Sequence, residues 1–225
     1  MEKMEKQTAG EKITAFLEKN RKGVVSVFIV VVVFLLAFVV VDTVTNKSKV
    51  NNLALLDEVT YVLTKDALNA DDAELSAKKS AAMESVKPLL GKGGIVGARA
   101  NYLAGEIEVL NENYSDALKY YETAAAKAKK NYLGTILVYN CAYCYEMTGD
   151  MDKAIENYKL ASADADFLLR AHAQFSVGRI YESMGKNDEA VAAYEELVNR
   201  TPNLEWAKIA KSRILALDVA KKSSR

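Results

Sequence analysis

Proline and histidine are scarce in this chain, with two prolines and one histidine, His172, in 225 residues. Few prolines means few breakers of regular helix. A single histidine excludes a multi-histidine metal site and weakens any Ser-His or Cys-His catalytic scheme. Neither charge is in surplus: 30 basic side chains stand against 30 acidic ones. Six basic and four acidic residues precede position 23, leaving 24 and 26 beyond it, a net charge near −2. Such a balance offers no cation field for a phosphate backbone, so nucleic-acid binding is disfavoured. No phosphate loop, nucleophile elbow or glycine fingerprint occurs, and the chain is expected to be non-enzymatic, without cofactor or metal.

What is present begins with an uncharged apolar run at residues 23–41, GVVSVFIVVVVFLLAFVVV, broken only by Ser26. At roughly 1.5 Å per residue it covers about 28 Å, close to a bilayer's hydrocarbon thickness. Lys19, Arg21 and Lys22 precede it directly, whereas Asp42 follows it and the next cations are Lys47 and Lys49. The positive-inside rule then puts the N-terminus in the cytoplasm and the following domain outside it, as a single-pass protein. The exit VVVDTVTNKSKV has no small-small cleavage pair, so the run reads as an uncleaved signal anchor.

Beyond the anchor there is little strand-like alternation, and the domain reads as all-α. It also repeats itself. NENYSDALKYYETA, MTGDMDKAIENYKLA and SMGKNDEAVAAYEELV align, placing Ala117, Ala154 and Ala190 at separations of 37 and 36. A tyrosine follows each by four: Tyr121, Tyr158 and Tyr194. A small residue precedes each by twelve: Gly105, Ala142 and Gly178. Tyr145 and Tyr181 follow the last two small residues by three, and Pro202 closes the last unit. Small residues let paired antiparallel helices approach, and aromatics fill the space to the next pair. The pattern resembles the tetratricopeptide repeat (TPR), departing from it at Glu108, where the aromatic is missing, and at Lys129 and Asp166, where proline is absent.

The expected organisation is a cytoplasmic tail (1–22), an anchor (23–41), a linker (42–50), a degenerate helical repeat (51–94) and three TPR units (95–202). A capping helix (203–220) carrying Trp206, Ile209, Ile214 and Leu217 follows, then a disordered tail (221–225). The degenerate unit is read from the helical spacing of Leu53, Leu56, Val59, Val62 and Leu63 and from Ala82, Val86 and Leu89.

Cys141 and Cys144 spell CAYC, but they fall mid-helix around Ala142, and no ligand cluster accompanies them; they read as structural cysteines, with a thiol-redox role as a minor alternative. His172 is expected on a solvated or groove-facing position. The acidic pairs Asp71 and Asp72, Asp150 and Asp152, and Asp164 and Asp166 lack calcium-loop spacing and read as helix caps.

The TPR resemblance implies a concave face lined by first helices. Carried over residue by residue it implies Arg99, Tyr102, Glu106 and Val109, then Ile136, Tyr139, Tyr143 and Glu146, then His172, Phe175, Arg179 and Glu182. Tyr102, Tyr139 and Phe175 would form an aromatic ladder and Glu146 and Glu182 a parallel acidic pair. The groove reading has a bland rival, in which the aromatics simply pack between helices.

The tail ITAFLEKNRKG, the helix LDEVTYVLTKDALN and the terminal WAKIAKSRILALD together resemble the YfgM-like ancillary subunits of the SecYEG translocon. That resemblance implies a membrane-anchored scaffold contacting translocon subunits, periplasmic chaperones or emerging client chains, with no small-molecule substrate. The rival is a structural subunit of another envelope machine, such as a secretion, outer-membrane assembly or flagellar-motor complex.

Overall fold

The computed structural model describes residues 9–65, 71–128 and 133–223. The polar turn expected at residues 69–72, between the two halves of the degenerate unit, begins outside the described residues, and Lys129 lies outside them too. The chain divides into two units, Met1–Asn51 and Asn52–Arg225.

The first unit holds α1 (Ala9–Lys19) and most of α2 (Arg21–Thr64). The apolar window of α2 is long enough to cross a membrane by length and composition, and none of it is buried. Its side chains stand open to the surroundings, Phe34 at 74% exposure. Ser26, its one polar side chain, is satisfied within the helix by donating to the Lys22 carbonyl at 2.9 Å, the arrangement hydrocarbon demands. Residues 42–50, read as a linker, are helical and belong to α2.

The second unit begins with the last turns of α2, whose Leu56, Val59 and Leu63 are buried. They share a core with Ala82 and Val86 of α3 (Asp72–Val86), Leu89 of a short 3-10 turn (Lys87–Leu89), and Val96, Ala100, Leu103, Ala104 and Ile107 of α4 (Gly94–Leu110). Val62 of the expected set is exposed. The stretch expected as a degenerate repeat thus has the end of α2 and α3 sharing one core with α4. Next come α5 (Tyr114–Ala128), α6 (Gly134–Met147), α7 (Met151–Ala163), α8 (Arg170–Ser183), α9 (Asn187–Arg200) and α10 (Glu205–Ser223). The tightest pairs are α4 with α5, α6 with α7 and α8 with α9, and each pair leans on the next. This is an all-α solenoid.

Two local devices recur in the three pairs. The first is the turn. Asn113 N–H bonds the Glu108 carbonyl at 2.9 Å, Asp150 bonds Tyr145 at 2.9 Å and Lys186 bonds Tyr181 at 2.9 Å. These close Schellman-type ends that need one left-handed residue. Gly149 (φ 86) and Gly185 (φ 72) supply it in the last two turns, but Glu112 (φ 60) must adopt it in the first. The second device is the close approach. Tyr121, Tyr158 and Tyr194 are almost fully buried. A Cβ on Gly105 would sit 2.5 Å from Tyr121 Cε1, and one on Gly178 would collide likewise with Tyr194.

Trp206, Ile214 and Leu217 of α10 pack on the last repeat as expected, while Ile209 is 37% exposed. The disordered tail expected from position 221 is corrected: α10 continues to Ser223, because Lys221 Nζ reaches Asp188 Oδ1 on α9 at 2.7 Å. Residues 224–225 of that tail lie outside the described residues.

Two substitutions test these devices by urea unfolding. Glu112→Gly relieves a left-handed non-glycine residue and is expected to stabilise by about 0.5–1 kcal/mol. Gly105→Ala overpacks the Tyr121 ring and is expected to destabilise by about 1–3 kcal/mol.

Candidate functional site

The twelve residues carried over from the repeat pattern separate into two groups in the structure. The larger group is engaged inside the solenoid. Tyr102 lies 6.1 Å from Tyr121 by ring centroids, Tyr139 lies 5.5 Å from Tyr158 and Phe175 lies 5.3 Å from Tyr194. The expected aromatic ladder is thus a set of rings resting on the buried second-helix tyrosines. Tyr143 packs edge-on against Tyr114 at 5.8 Å, and Val109 is half-buried in the same core.

The acids are engaged as well. Tyr158 donates its hydroxyl to Glu146 at 3.2 Å, and Tyr194 donates to Glu182 at 3.0 Å. Each glutamate then receives an arginine from the next first helix. Arg179 binds both oxygens of Glu146 at 2.5 and 2.8 Å, and Arg213 of α10 binds both oxygens of Glu182. In the first pair Val109 stands at the glutamate position, and Glu106, one turn earlier, takes over. Its Oε1 accepts from Tyr121 at 2.5 Å and from Asn140 of α6 at 2.8 Å. One carboxylate per repeat therefore ties its own second helix to the next repeat. Burial raises the Glu106 pKa, opposed by the Tyr121 hydrogen bond, whereas the Arg213 pair lowers that of Glu182.

His172 is only partly open to solvent. It is half-buried, with Nδ1 at 2.6 Å from the Tyr139 hydroxyl and its ring edge-on to Trp206 at 4.4 Å. Burial lowers its pKa, as does Arg179 nearby, so the neutral ring is favoured. It is a packing element between α6 and α10.

Arg99 and Ile136 behave differently, and Tyr102, though it rests on Tyr121, joins them. They line an open groove of about 640 Å³. Leu56 and Thr60 of α2 and Leu103 of α4 form one wall, Leu133 lies beside Ile136, and residues 166–169 form the lip. Arg99 is bound to Asp57 at 2.5 Å on the rim. The lip belongs to the α7–α8 connection, which is held in place. Thr135 donates to Asp164, Asp164 Oδ1 accepts from the Asp166 N–H at 3.0 Å, and Arg170 donates to the Ala165 carbonyl at 2.9 Å. The Thr135 hydrogen bond, with help from the Asp166 N–H, lowers the Asp164 pKa. Phe167 packs on Tyr139 at 5.6 Å, while Leu168 is 96% exposed. Repeat-based reasoning missed this lip. Its signal was the apolar triplet Phe167–Leu168–Leu169 inside an otherwise acidic turn, at the place where the repeat pattern wants proline.

Among the described residues, no group of three or more His, Cys, Asp or Glu residues is placed to hold a metal ion. Cys141 and Cys144 are free and buried in α6, and burial pushes both thiols up to about 12. At neutral pH they are thiols and not the nucleophilic thiolate.

Glu106 gives a pH-dependent test. Its folded-state pKa lies above the ordinary 4.5, so the folded state holds the proton more tightly, and its penalty to stability fades as pH falls from neutral toward 4.5. Glu106→Gln keeps an acceptor for Tyr121 and Asn140 but cannot titrate. Urea unfolding across this window is expected to show less stability gained on acidification, or more lost, in the variant than in the unaltered protein.

Comparison with known proteins agrees with the geometry. Tetratricopeptide repeat models match residues 102–166 and 171–204. A "TPR repeat-containing protein" of Treponema pallidum (strain Nichols) is 32% identical over 139 residues, 62% of this chain and 58% of the relative, so the match spans less than two thirds of that protein. Among solved structures, TPR-like repeats assigned to a Podosopora anserina kinesin light chain superpose with a TM-score of 0.60 at 14% identity. They cover 75% of this chain and 87% of that one. The MamA protein superposes at 0.51 with 17% identity over the same shares. At these identities the two structures share the fold alone. The matched residues coincide with the helix pairs described above: this chain carries tetratricopeptide repeats, built into an all-α solenoid.

Proposed function

We propose that the protein is a membrane-anchored scaffold whose TPR solenoid binds protein partners at the extracytoplasmic face of the inner membrane. The observation that carries this reading is the pairing, in one chain, of a repeat solenoid with an apolar helix that buries none of its window. TPR solenoids serve protein–protein interaction. The helix presents far more contiguous apolar surface than a protein leaves in water. Sixteen Val, Ile, Leu and Phe residues in the run favour insertion by roughly 5–10 kcal/mol on a membrane-insertion scale. The lysine and arginine bias supports a cytoplasmic N-terminus. The buried, protonated thiols support a scaffold over a redox protein.

The resemblance to YfgM-like subunits supports a place beside the Sec translocon, in contact with periplasmic chaperones or emerging client chains. Cross-linking in native membranes tests this, and translocon subunits are the expected partners. Recovery of a single different envelope machine would overturn the Sec assignment and leave the scaffold reading intact. A periplasm-active reporter fused after Arg225 is expected to be active; activity of a cytoplasm-only reporter there would reverse the orientation.

A further inference from the structure

We infer that the groove lipped by residues 166–169 receives apolar stretches of polypeptide and not acidic tails, an inference that rests on the protein-binding reading above. Charge is the first argument. The cations on the first helices α4, α6 and α8 are Arg99, Arg170 and Arg179, and α6 has none. Arg99 is held by Asp57 and Arg179 by both oxygens of Glu146. Arg170 lines a separate cavity of about 60 Å³ against α9. An acidic segment would have to break the Arg99–Asp57 or Arg179–Glu146 pair to use either of those cations. Neutral apolar residues meet no such cost.

The walls supply the second argument. Leu56, Leu103, Leu133, Ile136 and Phe167 face the groove, and Leu168 stands at its lip with 96% of its surface in water. Hydrogen bonds from Thr135, Arg170 and the Asp166 N–H tie down the connection that bears Leu168, which stands at the groove mouth. A volume of about 640 Å³ lies within the range of sites that enclose a drug-sized ligand, room for a short run of side chains. The assigned occupant is therefore a segment rich in leucine or aromatic residues and without net charge, as an unfolded chain would present.

The test uses the full chain in lipid nanodiscs and two fluorescent peptides of about 15 residues, one neutral and rich in Leu and Phe, the other rich in Asp and Glu, read by anisotropy against empty nanodiscs. The apolar peptide is expected to bind, with affinity changing little from about 0.05 M to about 0.5 M salt. Leu168→Glu is expected to weaken it by about tenfold or more. Leu215→Glu on α10, exposed and outside the groove, is expected to leave it unchanged. Because Leu168 is exposed, the variant should retain its circular dichroism and melting curve. Salt-sensitive binding of the acidic peptide alone would overturn the assignment and leave the scaffold reading standing. So would equal apolar binding by Leu168→Glu. A photo-crosslinker at position 168 that captures mainly a second copy of the chain would overturn it in favour of self-association. If neither peptide binds while the position 168 crosslinker still captures other proteins, the class of segment assigned is wrong.

Discussion

Each of the helix pairs α4–α5, α6–α7 and α8–α9 depends on a tyrosine driven against a residue too small to resist it. Tyr121 and Tyr194 lie over Gly105 and Gly178, and Tyr158 shares a core with Ala142. The close approach buries the ring, and burial obliges its hydroxyl to find an acceptor. The acceptor is a first-helix carboxylate, and that carboxylate, brought into a partly desolvated place, needs a further donor. The next repeat supplies it, as Asn140, Arg179 or Arg213. A steric requirement inside one pair thus becomes an electrostatic link between pairs. Solenoid stability is a sum of such units and their neighbour terms.

This chain of cause explains which parts of the structure were legible in sequence. The spacing of Ala117, Ala154 and Ala190 with their tyrosines is a local periodicity, and it gave the pairs and the small partners correctly. The same register put Glu146, Glu182, Arg179 and Phe175 on first helices, where the family pattern makes them groove residues. Their partners lie about thirty residues away, in the next repeat, and no local spacing reveals that a neighbour has already engaged them. His172 fits the same lesson, since Tyr139 and Trp206 come from separate elements. The lip is illegible for a different reason: it departs from the repeat, and a repeat-based reading treats departures as noise. Val109 shows the converse. The glutamate of later repeats is absent there, and Glu106 takes its place from one turn back, a substitution visible only once the helices are packed.

Glu112 marks where the first pair departs from the others. It has the same turn and the same hydrogen bonds as Gly149 and Gly185, with a side chain where they have none. The turn forms regardless, because the surrounding helices over-determine its backbone.

The carboxylate links are also unequal. Between the second and third pairs, and between the third pair and α10, a guanidinium grips both oxygens of its glutamate; between the first and second pairs a neutral amide touches one oxygen. Forked arginine contacts fix relative orientation far better than a single amide donor. The joint between α4 and α6 lacks the forked contact that the other two carry, and the groove straddles it, with Tyr102 on one side and Ile136 on the other. A segment lying across that groove would touch both sides of the one joint that no guanidinium spans, and would add the cross-repeat contact that the chain itself leaves to a single amide.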